Sequence, residues 1–553
     1  MAKEVIFNEK VWEAIKKGID TVANAVSSTL GPRGRNVIIE QMGRPILTND
    51  GVTVAKAIQL KNKQENMGAQ LLIEVASKAN DVAGDGTTTA TVLGQSIFTQ
   101  GLKHLNSGAN PMQLKKGIDF AIKSVVEYLK SKSVAVETKE DITKVATISA
   151  NNDKELGTLI ADAISKVGKD GVITVEESRG MDTYIDVVEG MMFNKGFTSP
   201  YFITNNDKMS VEMKEPLILF TDRKLNSMQE IVPLLEKVLQ VKRPLVLIAD
   251  EIGNEVTSNL ILNKMRGTLQ VVAVQAPMFG DKRKEMLQDM AVLCGGSYIT
   301  SDLDMKLEDV QISDLGQASS VTVTKDETTI VGGLGTKETI IEHLVKLKNS
   351  IEVLDTEYEK EKVRERIAKL SGGVAVIYAG ATTETELKEK KMRIEDALSA
   401  SKASYEEGII MGGGVSLLEA SEDTECFNSS NIMETDFNLG VGIVKKAIQE
   451  PFNKILTNAG HSPEVVANRL LGERNNPSIE GQEPITGFNC ATGEYVNMFS
   501  EGIVDPVKVT RSALQNAASI ASILLTTGCM ITEIPEEVKN NGMVGQGMPM
   551  GMM

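Results

Sequence analysis

Apolar side chains recur at every third or fourth position over residues 9–30, and this spacing predicts a long amphipathic helix. Its apolar face carries Val11, Trp12, Ile15, Ile19, Val22, Val26 and Leu30. Gly31 and Pro32 predict its end, because glycine favours a C-terminal cap and proline has no amide N–H to continue a helix. Two short apolar runs, 36–40 and 45–48, then predict a β-hairpin.

Helical spacing dominates from there to about residue 130, with helices predicted over 68–83 and 90–105. Between about 130 and 190 the pattern becomes mixed. Further helices are predicted over 140–146 and 155–167, and strands over 171–176 and 184–189.

From about 190 to 375 strands and helices alternate. Short, almost uniformly apolar runs at 217–220, 245–249 and 271–274 are typical of strands in a sheet that is covered on both faces. Helices are predicted between them, over 228–239 and 254–265. Charged helices over 356–370 and 383–398 follow, and the pattern is mainly helical again to about residue 530.

This order of patterns predicts a multidomain α and α/β protein in which a mixed segment is inserted into a mainly α-helical domain. Both ends of the chain would then close the same domain. The Gly/Met-rich tail, 535–553, has too few large apolar residues to build a core and is predicted to be disordered.

Composition narrows the class of protein. The chain has 553 residues, more than one hydrophobic core normally serves, and a net charge of −16. That acidity argues against a nucleic-acid or anionic-membrane surface. Four widely spaced cysteines and three histidines offer neither the usual zinc spacing nor a disulfide framework, so we expect a reducing cytoplasm.

The most informative stretch is Asp85-Gly86-Thr87-Thr88-Thr89-Ala90-Thr91, which joins two predicted helices. A carboxylate suits a hard cation, and glycine lets the backbone come close to a ligand. Hydroxyl and N–H groups in the first turn of a helix can donate to phosphate oxygens. The simpler interpretation, an N-cap with a polar first turn, explains the same residues.

Three other turns compete for a phosphate, at Gly31–Gly34, Asp50-Gly51 and Gly412–Gly414, and the chain has neither a Walker A loop nor a GxGxxG after a strand. Nucleotide hydrolysis needs a cation for the phosphates and a carboxylate for the attacking water. Asp50, Asp85 and Asp396 are the candidates, although an aspartate in such a position, taken singly, is more often a cap or a solvated side chain.

Several motifs together resemble the bacterial group I chaperonins, the GroEL type of 60 kDa chaperonin. The resemblance runs in order from about residue 2 to 534. It is carried by Thr29–Pro32, Glu65–Ala69, Asp85–Thr91, Thr147–Asn151, Gly171–Glu176, Ser199–Phe202, Ala276–Asp281, Glu395–Leu398, Glu406–Gly408 and Gly412–Gly414.

The resemblance implies a three-domain subunit whose apical domain captures non-native polypeptides under control of Mg²⁺-dependent ATP hydrolysis. The implied domains are a mainly α-helical equatorial ATPase domain (1–131 and 407–534), a small α/β intermediate domain (132–188 and 375–406) and an α/β apical domain (189–374). The implied partners are unfolded chains, a GroES-type co-chaperonin and further copies in seven-membered rings. Mg²⁺ is the implied cation, with K⁺ as a candidate second one.

Residue by residue, the resemblance implies that Asp50 orients the hydrolytic water and that Asp85 holds Mg²⁺. Asp396 would reach the γ-phosphate from an intermediate-domain helix when the subunit closes, so hydrolysis would act as a timer. The implied ATP-binding residues are Thr29, Leu30, Gly31, Pro32, Asn49, Asp85, Gly86, Thr87, Thr88, Thr89, Ile148, Ser149, Gly413, Asn489, Ala491 and Asp505.

The polypeptide-binding residues implied by the resemblance are Phe197, Tyr201, Phe202, Val232, Leu235, Ile261 and Leu262. Their periodicity alone indicates ordinary core positions. An exposed ring of such side chains would bind unfolded chains by removing apolar surface from water, without sequence specificity.

The chain also departs from the family pattern. Asn49 stands where the family commonly has lysine, and Asn453 and Ser462 replace an arginine and a glutamate that pair between rings in relatives. The number of rings therefore stays open. The segment 472–484 is longer than is usual in the family.

Two other functions are compatible with the sequence. A phosphotransferase or ligase could use the same Asp/Gly/Thr site on a small molecule, and a diverged paralogue could act as a binding or scaffold protein with weak ATPase activity. The first predicts a polar substrate pocket within 189–374, and the presence of all three aspartates argues against the second.

Overall fold

The computed structural model describes residues 3–533, except 42–43, 151, 169–170, 179, 207, 304, 354–356, 424, 428–434 and 475–483. The predicted disorder of the tail and most of the long 472–484 segment lie outside the described residues. The described chain forms two compact units. Unit 1 comprises Met1–Gly157 and Glu395–Met553, and unit 2 comprises Thr158–Ile394.

The helices are α1 (Glu9–Ser27), α2 (Gly51–Lys56), α3 (Lys63–Ala83), α4 (Thr87–Asn106), α5 (Pro111–Ser131), α6 (Lys139–Ser149), α7 (Lys154–Val167), α8 (Met228–Val241), α9 (Asn254–Met265), α10 (Asp281–Cys294), α11 (Lys337–Val353), α12 (Glu357–Gly372), α13 (Glu384–Glu407), α14 (Val415–Glu422), α15 (Thr435–Ala447), α16 (Glu450–Ala459), α17 (Pro463–Arg474) and α18 (Val507–Leu525). The helices predicted from apolar spacing are all confirmed, with ends that mostly differ by a few residues, although α13 continues nine residues beyond its predicted end at 398.

The strands are β1 (Lys3–Phe7), β2 (Val37–Gln41), β3 (Arg44–Thr48), β4 (Val172–Glu177), β5 (Tyr184–Val188), β6 (Gly190–Phe193), β7 (Val211–Lys214), β8 (Leu217–Thr221), β9 (Lys224–Leu225), β10 (Leu245–Ala249), β11 (Glu251–Ile252), β12 (Val271–Gln275), β13 (Tyr298–Ile299), β14 (Gly316–Val323), β15 (Thr328–Gly333), β16 (Val374–Ala379), β17 (Ile409–Met411), β18 (Gly487–Asn489), β19 (Glu494–Val496), β20 (Val504–Pro506) and β21 (Cys529–Glu533).

Unit 1 is mainly helical, as predicted. Its core is aliphatic and is formed by α1, α3, α4, α5, α15 and α18. The first and last described strands, β1 and β21, pair antiparallel, so the two ends of the described chain do close the same unit. The predicted hairpin is confirmed by the antiparallel pairing of β2 with β3.

Unit 2 is an α/β structure. Its main sheet has the order β12-β10-β8-β14-β15-β6, and the neighbours β8, β10 and β12 run parallel. Every residue of β8 and β10 is buried, because helices cover both faces of a parallel sheet. A second sheet in this unit has the order β4-β16-β5.

The division between the units falls inside α7 and inside α13. The finer division into equatorial, intermediate and apical domains stays a prediction.

Candidate functional site

The sharp turn between α3 and α4 presents the stretch that the sequence singles out. α3 ends at Gly84, which has a left-handed backbone with φ of 67°. A Cβ at Gly84 would overlap the side chain of Ser399, so both the conformation and the close approach require glycine. α4 then begins at Thr87, which places Thr87, Thr88 and Thr89 in its first turn. The N–H groups of a first turn have no partner within the helix and favour an anion.

Asp85 lies in this turn and already has two hydrogen-bond donors. Its carboxylate accepts from the N–H of Gly86 at 2.5 Å and from the Ser149 hydroxyl, at the end of α6, at 2.9 Å. Burial raises the pKa of Asp85 above its ordinary value, the two hydrogen bonds oppose this shift, and the charge of Asp50 adds to it. The structure therefore brings Asp85, Ser149 and Asp50 into one region.

Asp50 is the N-cap of α2. Its carboxylate accepts from the N–H groups of Val52 at 3.2 Å and Thr53 at 2.8 Å. The next residue, Gly51, packs directly on the first turn of α4: a Cβ there would overlap Thr88 Oγ1 and lie 2.8 Å from Thr87 Oγ1. The cap interpretation of Asp50 is therefore correct, and the same cap puts a carboxylate beside the candidate phosphate site.

Asp505 adds a third carboxylate from β20, which pairs with β17 just before Gly412. Burial and, to a smaller extent, the charge of Asp85 raise its pKa to about 7, although a hydrogen bond from the Gly413 N–H opposes the shift. The charge of Asp50 raises the pKa of Asp85, and the charge of Asp85 raises that of Asp505, so this region carries excess negative charge, which a cation would offset.

A cation at this place would need oxygen ligands beyond the protein. Within the described part of the chain, no group of three or more His, Cys, Asp or Glu side chains is arranged to hold a metal ion. Mg²⁺ commonly binds through one or two carboxylates together with substrate phosphates. The donor chemistry of this region fits that mode: Asp85 would supply the carboxylate, and the first turn of α4 would supply donors to the phosphates.

Asp396 lies on the half of α13 that belongs to unit 1. One turn further along α13, Ser399 packs against Gly84, and Ala403 forms a small buried cluster with Ala83 and Val509. Residues three and seven positions apart share a helix face. The face of α13 that carries Asp396 is therefore the face that packs on the turn before Asp85.

The loop Thr29–Pro32 follows α1 and is tied to distant parts of unit 1. The Arg33 guanidinium donates to the carbonyl oxygens of Ala459 and Ala491, each at 3.3 Å. Asn489 stabilises the turn between β18 and β19, because its side-chain oxygen accepts a hydrogen bond from the Ala491 N–H at 3.0 Å. The structure thereby links the predicted phosphate loop to Asn489 and Ala491.

The remaining predicted residues lie on the same elements. Ile148 is half-buried beside Ser149 on α6, and Asn49 is half-buried beside Asp50. Two residues that the sequence reasoning missed contact the loop, namely Arg33 and Asn458. The Gly-Pro-Arg-Gly turn gave a signal for Arg33, whereas nothing in the sequence pointed to Asn458, which is 428 residues from Leu30.

The predicted polypeptide-binding residues in unit 2 divide into two groups. Tyr201, Val232 and Leu262 are exposed, and Phe197 and Ile261 are half-buried. Phe202 and Leu235, by contrast, are core residues with exposed fractions of 0% and 6%. Because a buried side chain cannot touch a bound chain, direct contact with a polypeptide is not supported for these two in this conformation.

We term the apolar surface the exposed side chains of Tyr201, Val232, Leu262 and Met265 together with half-buried Ile261. Met265, which the sequence reasoning did not include, is 72% exposed at the end of α9. The Lys264 ammonium donates to the carbonyl oxygens of Tyr201 at 2.9 Å and Ile203 at 2.7 Å. These bonds fix the segment 201–203 against α9.

Comparison with known proteins bears on both regions. The sequence profile of the TCP-1/cpn60 chaperonin family matches residues 22–535. Among solved structures, the chaperonin gp146 from the bacteriophage EL of Pseudomonas aeruginosa is similar, with a TM-score of 0.62 and 22% sequence identity. The match covers 96% of this chain and 99% of that chain, which was crystallised in the presence of ATP-BeFx. At this identity the likeness establishes a shared fold, which confirms the predicted fold class. Every helix among the described residues is too short or too polar to span a membrane.

Proposed function

The chain belongs to the TCP-1/cpn60 chaperonin family, and we propose that it is an ATP-driven folding chaperone of the GroEL type. In this proposal unit 1 binds and hydrolyses ATP, and the apolar surface of unit 2 captures non-native polypeptides. Copies assemble into seven-membered rings, with a GroES-type co-chaperonin as partner.

The observation that carries this proposal is the convergence at the α3–α4 turn. A helix N-terminus with three threonines, the carboxylates of Asp50, Asp85 and Asp505, and the α13 face that carries Asp396 meet around one turn. The presence of an ATP analogue in the crystals of the phage chaperonin supports the same assignment.

In the proposed mechanism, backbone N–H groups and hydroxyls of Thr87–Thr89 donate to phosphate oxygens of ATP. Asp85 would hold Mg²⁺, which when bound supplies positive charge against the phosphates. Asp50 would orient the attacking water by accepting its hydrogen bond, and Asp396 would approach the γ-phosphate from α13. The water oxygen forms a bond to the γ-phosphorus as the bond to the β-phosphate bridge oxygen breaks, which yields ADP and phosphate.

Capture by unit 2 would depend on exposed apolar area. Tyr201 is 70% exposed and Leu262 is 50% exposed, on neighbouring elements held together by Lys264. Burying such side chains against an unfolded chain removes apolar surface from water and requires no particular sequence in that chain.

Native mass measurement with and without Mg-ATP, together with phosphate release, tests the proposal. We expect particles of seven or fourteen subunits and ATP hydrolysis without any added small molecule. Turnover only in the presence of a small-molecule acceptor would indicate a phosphotransferase or ligase. Rings that capture denatured protein without ATP hydrolysis would indicate a scaffold protein.

A further inference from the structure

Hydrogen bonds made by Asn458 and Arg33 hold the loop that follows α1 against the end of α16, and we term these contacts the brace. The Asn458 side-chain amide donates to two carbonyl oxygens at once, those of Ser27 and Leu30, each at 2.9 Å. The first belongs to the last residue of α1 and the second lies in the loop itself. One side chain therefore fixes both where the helix ends and how the loop leaves it.

The second bond has a directional consequence for the peptide between Leu30 and Gly31. In a planar trans peptide the carbonyl oxygen and the following N–H point to opposite sides. Because Asn458 holds the Leu30 oxygen toward α16, the Gly31 N–H is turned to the opposite side. Ile455, one turn earlier on α16, packs against Gly31, with its Cγ2 3.0 Å from the position of a Cβ there.

Arg33 closes the far side of the loop. Its guanidinium donates to the carbonyl of Ala459, the last residue of α16, and to that of Ala491 in the β18–β19 turn. Asn458 and Arg33 thus hold the loop at both of its ends against the same helix end.

We propose that Asn458 and Arg33 are positioning residues for the nucleotide, an inference that rests on the proposed function. They hold the loop Thr29–Pro32 in the form that contacts ATP, so that binding does not have to order the loop. Neither residue needs to touch the nucleotide for this effect.

The test compares Asn458→Ala, Arg33→Ala and a control, Thr457→Ala, in the full chain. Thr457 is the exposed neighbour of Asn458 on α16, and its hydroxyl donates within the helix, to the Asn453 carbonyl at 2.7 Å. ATP and ADP dissociation constants are measured by calorimetry, KM and kcat by phosphate release, and loop order by hydrogen exchange of residues 27–34 without nucleotide.

We expect the dissociation constants to rise roughly tenfold for Asn458→Ala, which loses two hydrogen bonds, and about threefold for the more exposed Arg33→Ala. KM should rise while kcat at saturation is kept. Exchange at 27–34 should be faster in both variants, and Thr457→Ala should match the wild type in every measurement.

Unchanged dissociation constants in Asn458→Ala would overturn the inference, even if the variant melts at a lower temperature. If Asn458→Ala does not fold, Arg33→Ala decides, because its side chain is exposed and an unchanged dissociation constant would exclude the brace. A wild-type protein that binds no nucleotide would refute the proposed function itself.

Discussion

The nucleotide region of unit 1 and the apolar surface of unit 2 differ in how well motifs in the sequence anticipate where their residues lie. In unit 1 the residues implied by separate motifs, Asp50, Asp85, Ser149 and Asp505, lie together. In unit 2 the implied set separates into exposed Tyr201 and buried Phe202, which are neighbours in the chain.

The difference has a physical cause. The polar site is built from turns and helix starts, whose glycine, aspartate and threonine residues have local conformational reasons to be where they are. An apolar side chain carries no comparable local signal, since core and surface positions alternate with the same helical or strand period. Its exposure is decided by what packs above it.

The largest expected effect tests whether the implied polypeptide-binding residues of unit 2 separate into buried and exposed side chains. Phe202→Ala should lower the free energy of unfolding by about 3–5 kcal/mol, because it removes a fully buried aromatic ring and leaves a cavity. Tyr201→Ala should change it by less than about 0.5 kcal/mol, as is usual for an exposed side chain. Chemical denaturation, monitored by hydrogen exchange of peptides from unit 2, measures both changes in the free energy of unfolding.

The capture assay completes this comparison. Tyr201→Glu should abolish binding of a denatured protein while the fold is kept, since a charge replaces apolar contact area. Undiminished capture by Tyr201→Glu would remove the apolar surface from the proposal. Equal stability of Phe202→Ala and the wild type would show that the buried ring is not part of the core.

The next effect tests the nucleotide region. Asp396→Ala should slow ATP hydrolysis by about 10²-fold or more, as expected for loss of a carboxylate that is positioned at the γ-phosphate, and should leave the ATP dissociation constant within about twofold. Single-turnover phosphate release and calorimetry separate the two quantities. Glu395→Gln is the control, because a helix turns the adjacent carboxylate by about 100°. Unchanged hydrolysis in Asp396→Ala would exclude its proposed role.

A smaller effect concerns the three carboxylates. Asp505→Asn should stabilise the nucleotide-free protein at pH 8 by roughly 1–2 kcal/mol, since it removes a charge that burial and Asp85 disfavour. Thermal unfolding without Mg²⁺ measures this change, with the exposed Glu501→Gln as the matched substitution. A variant less stable than the wild type would mean that the Asp505 charge has a stabilising partner.

The smallest effect depends on pH and is confined to unit 1. The Arg511 guanidinium pairs with Glu407 and holds the pKa of that carboxyl below its ordinary value near 4.5. A carboxyl whose pKa is lower in the folded than in the unfolded protein stabilises the fold at pH values above its unfolded-state pKa. This stabilisation is lost as the pH falls through its folded-state pKa. Glu407→Gln should cost at most about 1 kcal/mol at pH 7, given partial exposure.

As the pH falls from 7 through the lowered pKa of Glu407, the stabilities of Glu407→Gln and the wild type should converge, as followed by urea unfolding. Hydrogen exchange should change in unit 1 peptides and stay unchanged in unit 2 peptides. A difference that does not shrink as the pH falls would rule out the ion pair as its source.

Most elements of the fold could be predicted from the chain. Apolar spacing located α1, α3 and α4, and uniformly apolar runs located β8, β10 and β12. These patterns are reliable because a helix or strand must bury one face, or both, whatever its partner is. The candidate site was predictable as far as its motifs had local causes, as at Asp85 and Asp50.

The order of elements, the mainly helical and α/β regions, and the residue types at the α3–α4 turn follow from the sequence alone. Tertiary packing was needed to show that Phe202 and Leu235 are core residues, that Ser399 packs on Gly84, and that Asn458 holds the Leu30 carbonyl. Local patterns follow from the backbone periods of helices and strands, whereas contacts between residues hundreds of positions apart depend on how complete elements pack.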